Sequence, residues 1–394
     1  MINLEKIRQD TPGSAHRIHL NNAGTALSPQ PVVDTVTDYL HLEQQVGGYE
    51  AELERAEQLD GVYHSLARLI GANPSEIAIT QNATRAWDMI FYGLPLQRGD
   101  KILTCRCEYA SNYIAFLQRQ KATGVEIVVL DNDPTGAVCP QSLADNLDAK
   151  VKLVAINHIP TNGGLIQPAE ELGQILKNHP AFYLVDACQS LGQVPIDVER
   201  LHCDALTSTS RKYLRGPRGV GLLYLCADQD RLEPPFLDLH AATWTGAQEY
   251  EVRKDARRFE TYELFVAGKL GLGAAADYAL EVGPVWAFER LSRLAAMARE
   301  GLRSIAGVKV HDQGRQQGGI VTFTLDGLPP NRVRELLYER GTNIWTCTVR
   351  AARLDMQARD LQEVARASFH YYNTEAELET FLDQVRELSK EEMS

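Results

Sequence analysis

The chain has 394 residues, and its 40 Lys and Arg against 52 Asp and Glu give a net charge of −12. That length suits roughly two to three domains, and a composition 44% hydrophobic and 23% charged supplies a large core and excludes intrinsic disorder. An acidic chain with no basic tract has no electrostatic reason to sit on phosphate backbones or anionic lipid, so neither nucleic acid nor membrane is an expected partner. The opening MINLEKIRQD lacks the apolar stretch of a secretory signal, and no window is long enough to span a bilayer; a cytoplasmic location is expected.

In chain order, Pro31 to Gln45 and Ala51 to Ile70 carry helical periodicity, and the Gly47-Gly48 pair breaks the run between them. From Glu76 to Cys226, short β-branched and apolar runs alternate with helical patterns: EIAIT, then a helix after Thr84; KILTC, then a helix after Asn112; then VEIVVL, KLVAIN, FYLVDA and GVGLLYL. The alternation predicts a mainly parallel sheet covered by helices on both faces. Gly268, Gly271 and Gly273 lie in a helical apolar pattern that follows no strand, which points to close helix packing and away from a nucleotide loop. Past about Gly283 come a long helix (Trp286 to Ile305), strands near Val308 and Ile320, a helix from Asn331 and a last helix from about Thr374. The expected organisation is an N-terminal arm over 1–20, a large domain over 21–282 and a small α+β domain over 283–394.

The seven cysteines are odd in number, scattered and without a C-x-x-C pair, which fits reduced, buried thiols. The histidines form no H-E-x-x-H pattern, and His16 with His19 is only a weak coincidence of spacing, so no metal site is expected. The most informative segment is Phe182 to Leu225. There an apolar strand ends in Asp186, Gln189 follows, and Thr209-Ser210-Arg211-Lys212 precedes a Gly-Pro-Arg-Gly turn. Ligands of open α/β sheets bind beyond the carboxyl ends of the strands, which places Asp186 and Lys212 in one crevice. A lysine amine can hold an aldehyde cofactor as a Schiff base, and a carboxylate beside a pyridine nitrogen keeps it protonated and makes the ring an electron sink. Those two groups fit pyridoxal phosphate. Its phosphate needs hydroxyls, a cation and free amides at a helix start, and Asn82-Ala83-Thr84 opens a helix directly after EIAIT, with Thr209 and Arg211 to complete the cradle.

As an ordered set, HLNNAGTA, TQNATRAW, CEYASN, HIPTNGGLIQP, LVDACQS, STSRKYLRGPRG, RRFET and VARASFHYYNTEAEL resemble the class V aminotransferase family of fold type I pyridoxal phosphate enzymes. That family includes cysteine desulfurases, cysteine C-S lyases and isopenicillin N epimerase. The resemblance implies an α/β fold with a seven-stranded, mainly parallel sheet and a small C-terminal α+β domain, pyridoxal 5'-phosphate as cofactor, an amino-acid substrate and a homodimer. Carried over by position, Lys212 is similar to the Schiff-base lysine, Asp186 to the pyridine-nitrogen partner, and Gln189, with Asn162 as a second candidate, to the donor at the phenolic oxygen. Thr84, the Ala83 amide, Thr209 and Arg211 would hold the phosphate. Arg366 is similar to the clamp on the substrate carboxylate, with Asn22, Ala23 and Tyr49 as further substrate contacts.

Three positions depart from the pattern. Tyr109 stands where many relatives stack a histidine on the ring, which keeps an aromatic face and loses a titratable nitrogen. Phe259-Glu260-Thr261-Tyr262-Glu263 replaces the FE-x-GT stretch whose threonine reaches a phosphate across the dimer. The nucleophilic cysteine of desulfurases would fall near Arg350, and Cys347 lies three residues before it. A thiolate nucleophile needs exposure and positive surroundings; a packing cysteine is the plainer reading of Cys347. VGGYEAE with RRFETYELF looks most like the C-S lyases of thiohistidine sulfoxides in ergothioneine and ovothiol biosynthesis. The expected function is therefore β-elimination from an S-substituted cysteine to pyruvate and ammonia. Alternatives are transamination or epimerisation at the α-carbon, a cysteine desulfurase using Cys347, and a non-catalytic binder of the cofactor.

Overall fold

The computed structural model describes residues 3–229 and 232–393. Its centre is a sheet of seven strands: β1 Ile77–Thr80, β2 Lys101–Thr104, β3 Glu126–Val129, β4 Val151–Asn157, β5 Phe182–Asp186, β6 Ala205–Thr209 and β7 Gly221–Leu225. Their order is β1-β7-β6-β5-β4-β2-β3. Strands β2 to β6 run parallel, and β7 is antiparallel to both β1 and β6. A parallel sheet is buried on both faces, so its strands read as continuous apolar runs; β5, β6 and β7 are buried at every position.

Successive side chains point to opposite faces. Val185, Leu206 and Leu222 join Leu66, Ile70 and Leu272 on one side, while Leu184, Ala205 and Leu223 join Trp87, Phe91 and Phe116 on the other. Each such Leu, Val or Phe contributes about 1.5–3 kcal/mol on burial. The helix Val266–Val282 holds the glycine string, and an added Cβ would lie 2.6 Å from Val36 at Gly271 and 2.8 Å from Val62 at Gly273. The glycines let the helices Gln30–Val46 and Ala56–Ile70 pack close against it.

Gly283, at φ +90, separates Val266–Val282 from the long helix Pro284–Arg303. Beyond it a four-stranded antiparallel sheet carries β10 Val308–Val310, β11 Ile320–Leu325, β12 Trp345–Thr348 and β13 Glu363–Ser368 in the order β10-β11-β13-β12. A hairpin, β8 Ala242–Gly246 and β9 Glu249–Val252, stands apart from both sheets. The N-terminal arm is tied to the C-terminal part: Ile18–His19 pairs in parallel with Thr342–Asn343, and Asn21 bridges to Ser368.

Two features differ from the sequence reading. The run Ala51 to Ile70 is two helices, Gly48–Glu54 and Ala56–Ile70, because Arg55 (φ −107, ψ 14) leaves helical geometry without a Gly or Pro to announce it. Strands β8, β9, β12 and β13 are not anticipated either. The hairpin is largely exposed on both faces, so it shows no apolar alternation, and WTCT is too short and polar to stand out. Among the described residues, no helix is long and apolar enough to cross a membrane.

Candidate active site

The carboxyl ends of β4, β5 and β6 bring the central groups together. Asp186 ends β5 opposite Asn157 of β4 and is buried, with Oδ1 accepting from the Cys188 N–H at 2.9 Å and Oδ2 from Asn112 Nδ2 at 3.1 Å. Lys212 follows β6 in a tight turn, closed by Gly216 N–H to Ser210 O and Arg215 N–H to Lys212 O, both 2.9 Å. Gly192 (φ +81) makes room for that turn, since a Cβ there would sit 2.5 Å from the Tyr213 carbonyl carbon and the Leu214 nitrogen. Burial pushes the Lys212 amine below its ordinary range; Cys188 and Asp186 oppose the shift, while Arg211 and Arg366 add to it. A lysine so depressed is a better nucleophile and base at neutral pH.

The helix Ala83–Gly93 starts directly beyond β1. The first amides of a helix have no partner within it; Asn82 Oδ1 takes that of Arg85 at 2.9 Å, leaving the turn at Ala83 and Thr84 for an anion. Ala83 is buried and Thr84 exposed. Gly221 of β7 lies beneath this turn: a Cβ there would fall 2.6 Å from the Asn82 carbonyl carbon and 2.8 Å from the Ala83 nitrogen. Thr209 ends β6 as a buried residue. Arg211 has its Nη1 on the Gly24 carbonyl and 3.4 Å from Thr25 Oγ1, so it pins the N-terminal segment HLNNAGTA onto the loop that carries Lys212.

On the opposite wall, Arg366 of β13 is 4% exposed. Its Nη1 donates to Thr161 O and Oγ1, both at 3.0 Å, and its Nη2 to Asn21 Oδ1 at 3.3 Å, while Nε is buried with no acceptor. A guanidinium with a spare donor edge is suited to a planar carboxylate. Gln189 is buried, donates to Ala23 O at 3.1 Å and leaves Oε1 unpartnered. Tyr109 is 37% exposed at the start of the helix Ala110–Thr123, within electrostatic reach of Arg211.

Other candidates stand differently. Asn22 is completely buried, with Nδ2 on Ser368 O (2.7 Å) and His19 O (3.2 Å) and Oδ1 taken by the Tyr372 hydroxyl, so its side chain is spent inside the protein. Its neighbour Asn21 is the residue that faces Arg366. Ala23 gives its N–H to Ser368 Oγ at 2.9 Å and its carbonyl to Gln189. Asn162 Nδ2 donates to Asp355 Oδ2 at 2.6 Å, which fastens the HIPTNGG loop to the C-terminal part. Tyr49 is 70% exposed and lies with Tyr262, bordering a surface cavity with Tyr63, Arg257 and Lys269. The cysteine near the expected nucleophile position, Cys347, is 4% exposed, and its Sγ is 3.2 Å from the Thr161 carbonyl that also receives Arg366. Thr161, Asn112 and Glu108 are site residues not singled out from sequence. Glu108 and Asn112 stand at the i, i+4 spacing of CEYASN, which was the available signal.

These groups fit pyridoxal phosphate: an amine with depressed basicity, a buried carboxylate to face the ring nitrogen, a capped helix start for the phosphate and a buried guanidinium donor for a substrate carboxylate. The model of the aminotransferase class-V family matches residues 18–381. A curated relative, the probable cysteine desulfurase of Methanothermobacter thermautotrophicus, is 29% identical over 98% of both chains. The apo structure of the cysteine desulfurase from Thermococcus onnurineus NA1 superposes with a TM-score of 0.92 at 28% identity, covering 99% of both chains. The cystine C-S lyase C-DES, solved with cysteine persulfide, shares the fold at a TM-score of 0.86 and 24% identity, over 95% of this chain and 99% of that one. The chain belongs to the aminotransferase class V family.

Proposed function

We propose that the protein is a pyridoxal phosphate-dependent C-S lyase that cleaves an S-substituted cysteine by β-elimination, without an enzyme thiol. The observation that carries this is the state of its cysteines. Among the described residues none is fully exposed; Cys347 is buried on Thr161, and burial holds the Cys188 thiol beside Asp186 far above its usual pKa. A sulfur acceptor must be a reachable thiolate. Elimination needs none.

Bound at this site, pyridoxal phosphate supplies an electron sink for the pair left at the substrate α-carbon. Arg366 binds the carboxylate and fixes the substrate's orientation. Lys212 would hold the cofactor, and its amine, with basicity lowered by burial, is the base placed to take the α-proton. Asp186 would face the ring nitrogen and favour its protonated form. The Cβ–S bond then breaks with its electron pair leaving on sulfur, and water completes the products: a thiol or, from a sulfoxide, a sulfenate, with pyruvate and ammonium. Homodimerisation belongs to this reading, with the paired, exposed Tyr49 and Tyr262 as an aromatic contact for the second copy.

A second reading, cysteine desulfurase, is favoured by the curated relatives, which carry that description at 29% identity. The two differ in carbon product: elimination yields pyruvate, whereas sulfur transfer to a thiol yields alanine and an enzyme persulfide. The test supplies cysteine, cystine, S-alkylcysteine sulfoxides and a thiohistidine-cysteine sulfoxide to wild type and Cys347→Ser. Pyruvate release undiminished in Cys347→Ser is expected. Alanine as the product, with persulfide on Cys347, overturns elimination and establishes the desulfurase. The imidazole-bearing sulfoxide draws no support from these relatives and enters only as one substrate of the panel.

A further inference from the structure

Between Tyr109 and the sheet lies a buried carboxyl that the mechanism above leaves without a role. Glu108 is 4% exposed. Its Oε1 accepts from the Tyr109 N–H at 2.8 Å and from Asn112 Nδ2 at 2.9 Å, and its Oε2 from Thr104 Oγ1 at 3.1 Å. The same Asn112 nitrogen donates to Asp186 Oδ2 at 3.1 Å. Since an amide nitrogen carries two hydrogens, both bonds form together, and one side chain spans two buried carboxyls. An amide can present either its nitrogen or its oxygen to Asp186. The Glu108 oxygen on the other side selects the nitrogen.

We propose that Glu108 is a positioning residue of this site: through the Asn112 amide it holds Asp186 in place against the cofactor's ring nitrogen, and by gaining or losing its own proton it sets the charge that this nitrogen meets. The inference rests on the pyridoxal phosphate reading. Two carboxyls this close do not both ionise readily. Burial, and after it the Asp186 charge, push Glu108 up to about 8. The other ionisable group against it is the Cys105 thiol, 4.0 Å from Oε2 and itself pushed up by burial; Lys212 and Cys188 lie beyond Asp186. Below its transition Glu108 is a neutral acid, with its carbonyl oxygen on two donors and its hydroxyl toward Thr104. A glutamine reproduces that shape and pattern but does not titrate. Above the transition the added negative charge beside Asp186 would favour protonation of a bound cofactor and of its link to Lys212.

The test compares wild type, Glu108→Gln and Glu108→Leu, each loaded with pyridoxal phosphate. The visible absorbance of the lysine-bound cofactor is followed from pH 6 to 10, and cofactor retention is measured by dialysis. Glu108→Gln is expected to retain cofactor as wild type does and to titrate about half a unit or more lower. Glu108→Leu removes the acceptor that orients Asn112 and is expected to weaken retention about tenfold. Superimposable wild-type and Glu108→Gln titrations overturn the inference, and they do so whether or not Glu108→Leu folds. A wild-type protein that takes up no pyridoxal phosphate overturns the functional reading itself; a coloured wild type with an unshifted Glu108→Gln overturns only this one.

Discussion

The two ends of the central sheet invite comparison, because both bury ionisable groups and bond them differently. At the amino ends a cavity of about 700 Å³ opens among Leu96, Phe182, His202, Asp204 and Tyr224. Of the carboxylates lining it, the half-buried Asp204 is fully employed, taking the Tyr183 N–H at 2.7 Å and Gln229 Nε2 at 2.8 Å, and His202 pairs with Gln174 at 2.6 Å. At the carboxyl ends Arg366 Nε and Gln189 Oε1 are buried without partners. An orphaned buried polar atom costs about 1–3 kcal/mol, and a ligand bound beside the Lys212 turn can satisfy these two. The unspent polar atoms and the direction of the parallel strands set the carboxyl ends apart.

The sharpest way to break the comparison is to remove one amine from each end. Lys212→Ala is expected to lower turnover on the order of a thousandfold or more, because both the covalent anchor and the base disappear, while steady-state assays of Lys152→Ala at the amino end show wild-type rates. Comparable losses in both would mean that the lysines act through stability and not chemistry. Next in size is Arg366→Lys. A point charge cannot reproduce the guanidinium edge, and KM is expected to rise about ten- to hundredfold with a smaller change in kcat; an unchanged KM would remove Arg366 from substrate binding. Smaller again is Asp204→Ala, which leaves the Tyr183 amide without its acceptor. Denaturant unfolding is expected to show a loss of about 1–3 kcal/mol at unchanged kcat/KM.

The same contrast explains how much could be read from sequence. Continuous apolar strands announced the parallel sheet, and a strand-end aspartate followed by a turn lysine announced that Asp186 and Lys212 lie near each other, because those signals are local. Asn22 and Asn162 are different. Both lie in motifs carried over by resemblance, yet each side chain is engaged by a distant element, Asn22 by Ser368 and Tyr372 and Asn162 by Asp355. Tertiary hydrogen bonds across 190 or more positions leave no periodicity to read. Glu108 and Asn112 were in view in CEYASN, but an acidic residue at a helix start reads as a cap, and only the position of Asp186 turns it into part of the site. The antiparallel β7 was legible as a strand and not in its direction, which depends on the route the chain takes after Lys212.

The smallest expected effect sharpens the comparison on the acid side. His158 gives its N–H to the Asp186 carbonyl at 2.9 Å, and its imidazole is buried with Nδ1 unpartnered. Burial lowers its pKa from 6.5 to about 4. The folded protein therefore binds fewer protons at this ring than the unfolded chain, and the stability it contributes is complete above pH 6.5 and lost as pH falls toward 4. At pH 6 that loss is roughly 1 kcal/mol. His311 and His370 are pushed the same way by burial and share the slope. His158→Gln removes only one part of it: its stability gap from wild type, measured by denaturant unfolding, is expected to narrow between pH 8 and pH 5. A constant gap would show that the ring titrates alike in the folded and unfolded states, so that burial beside Asp186 does not move it.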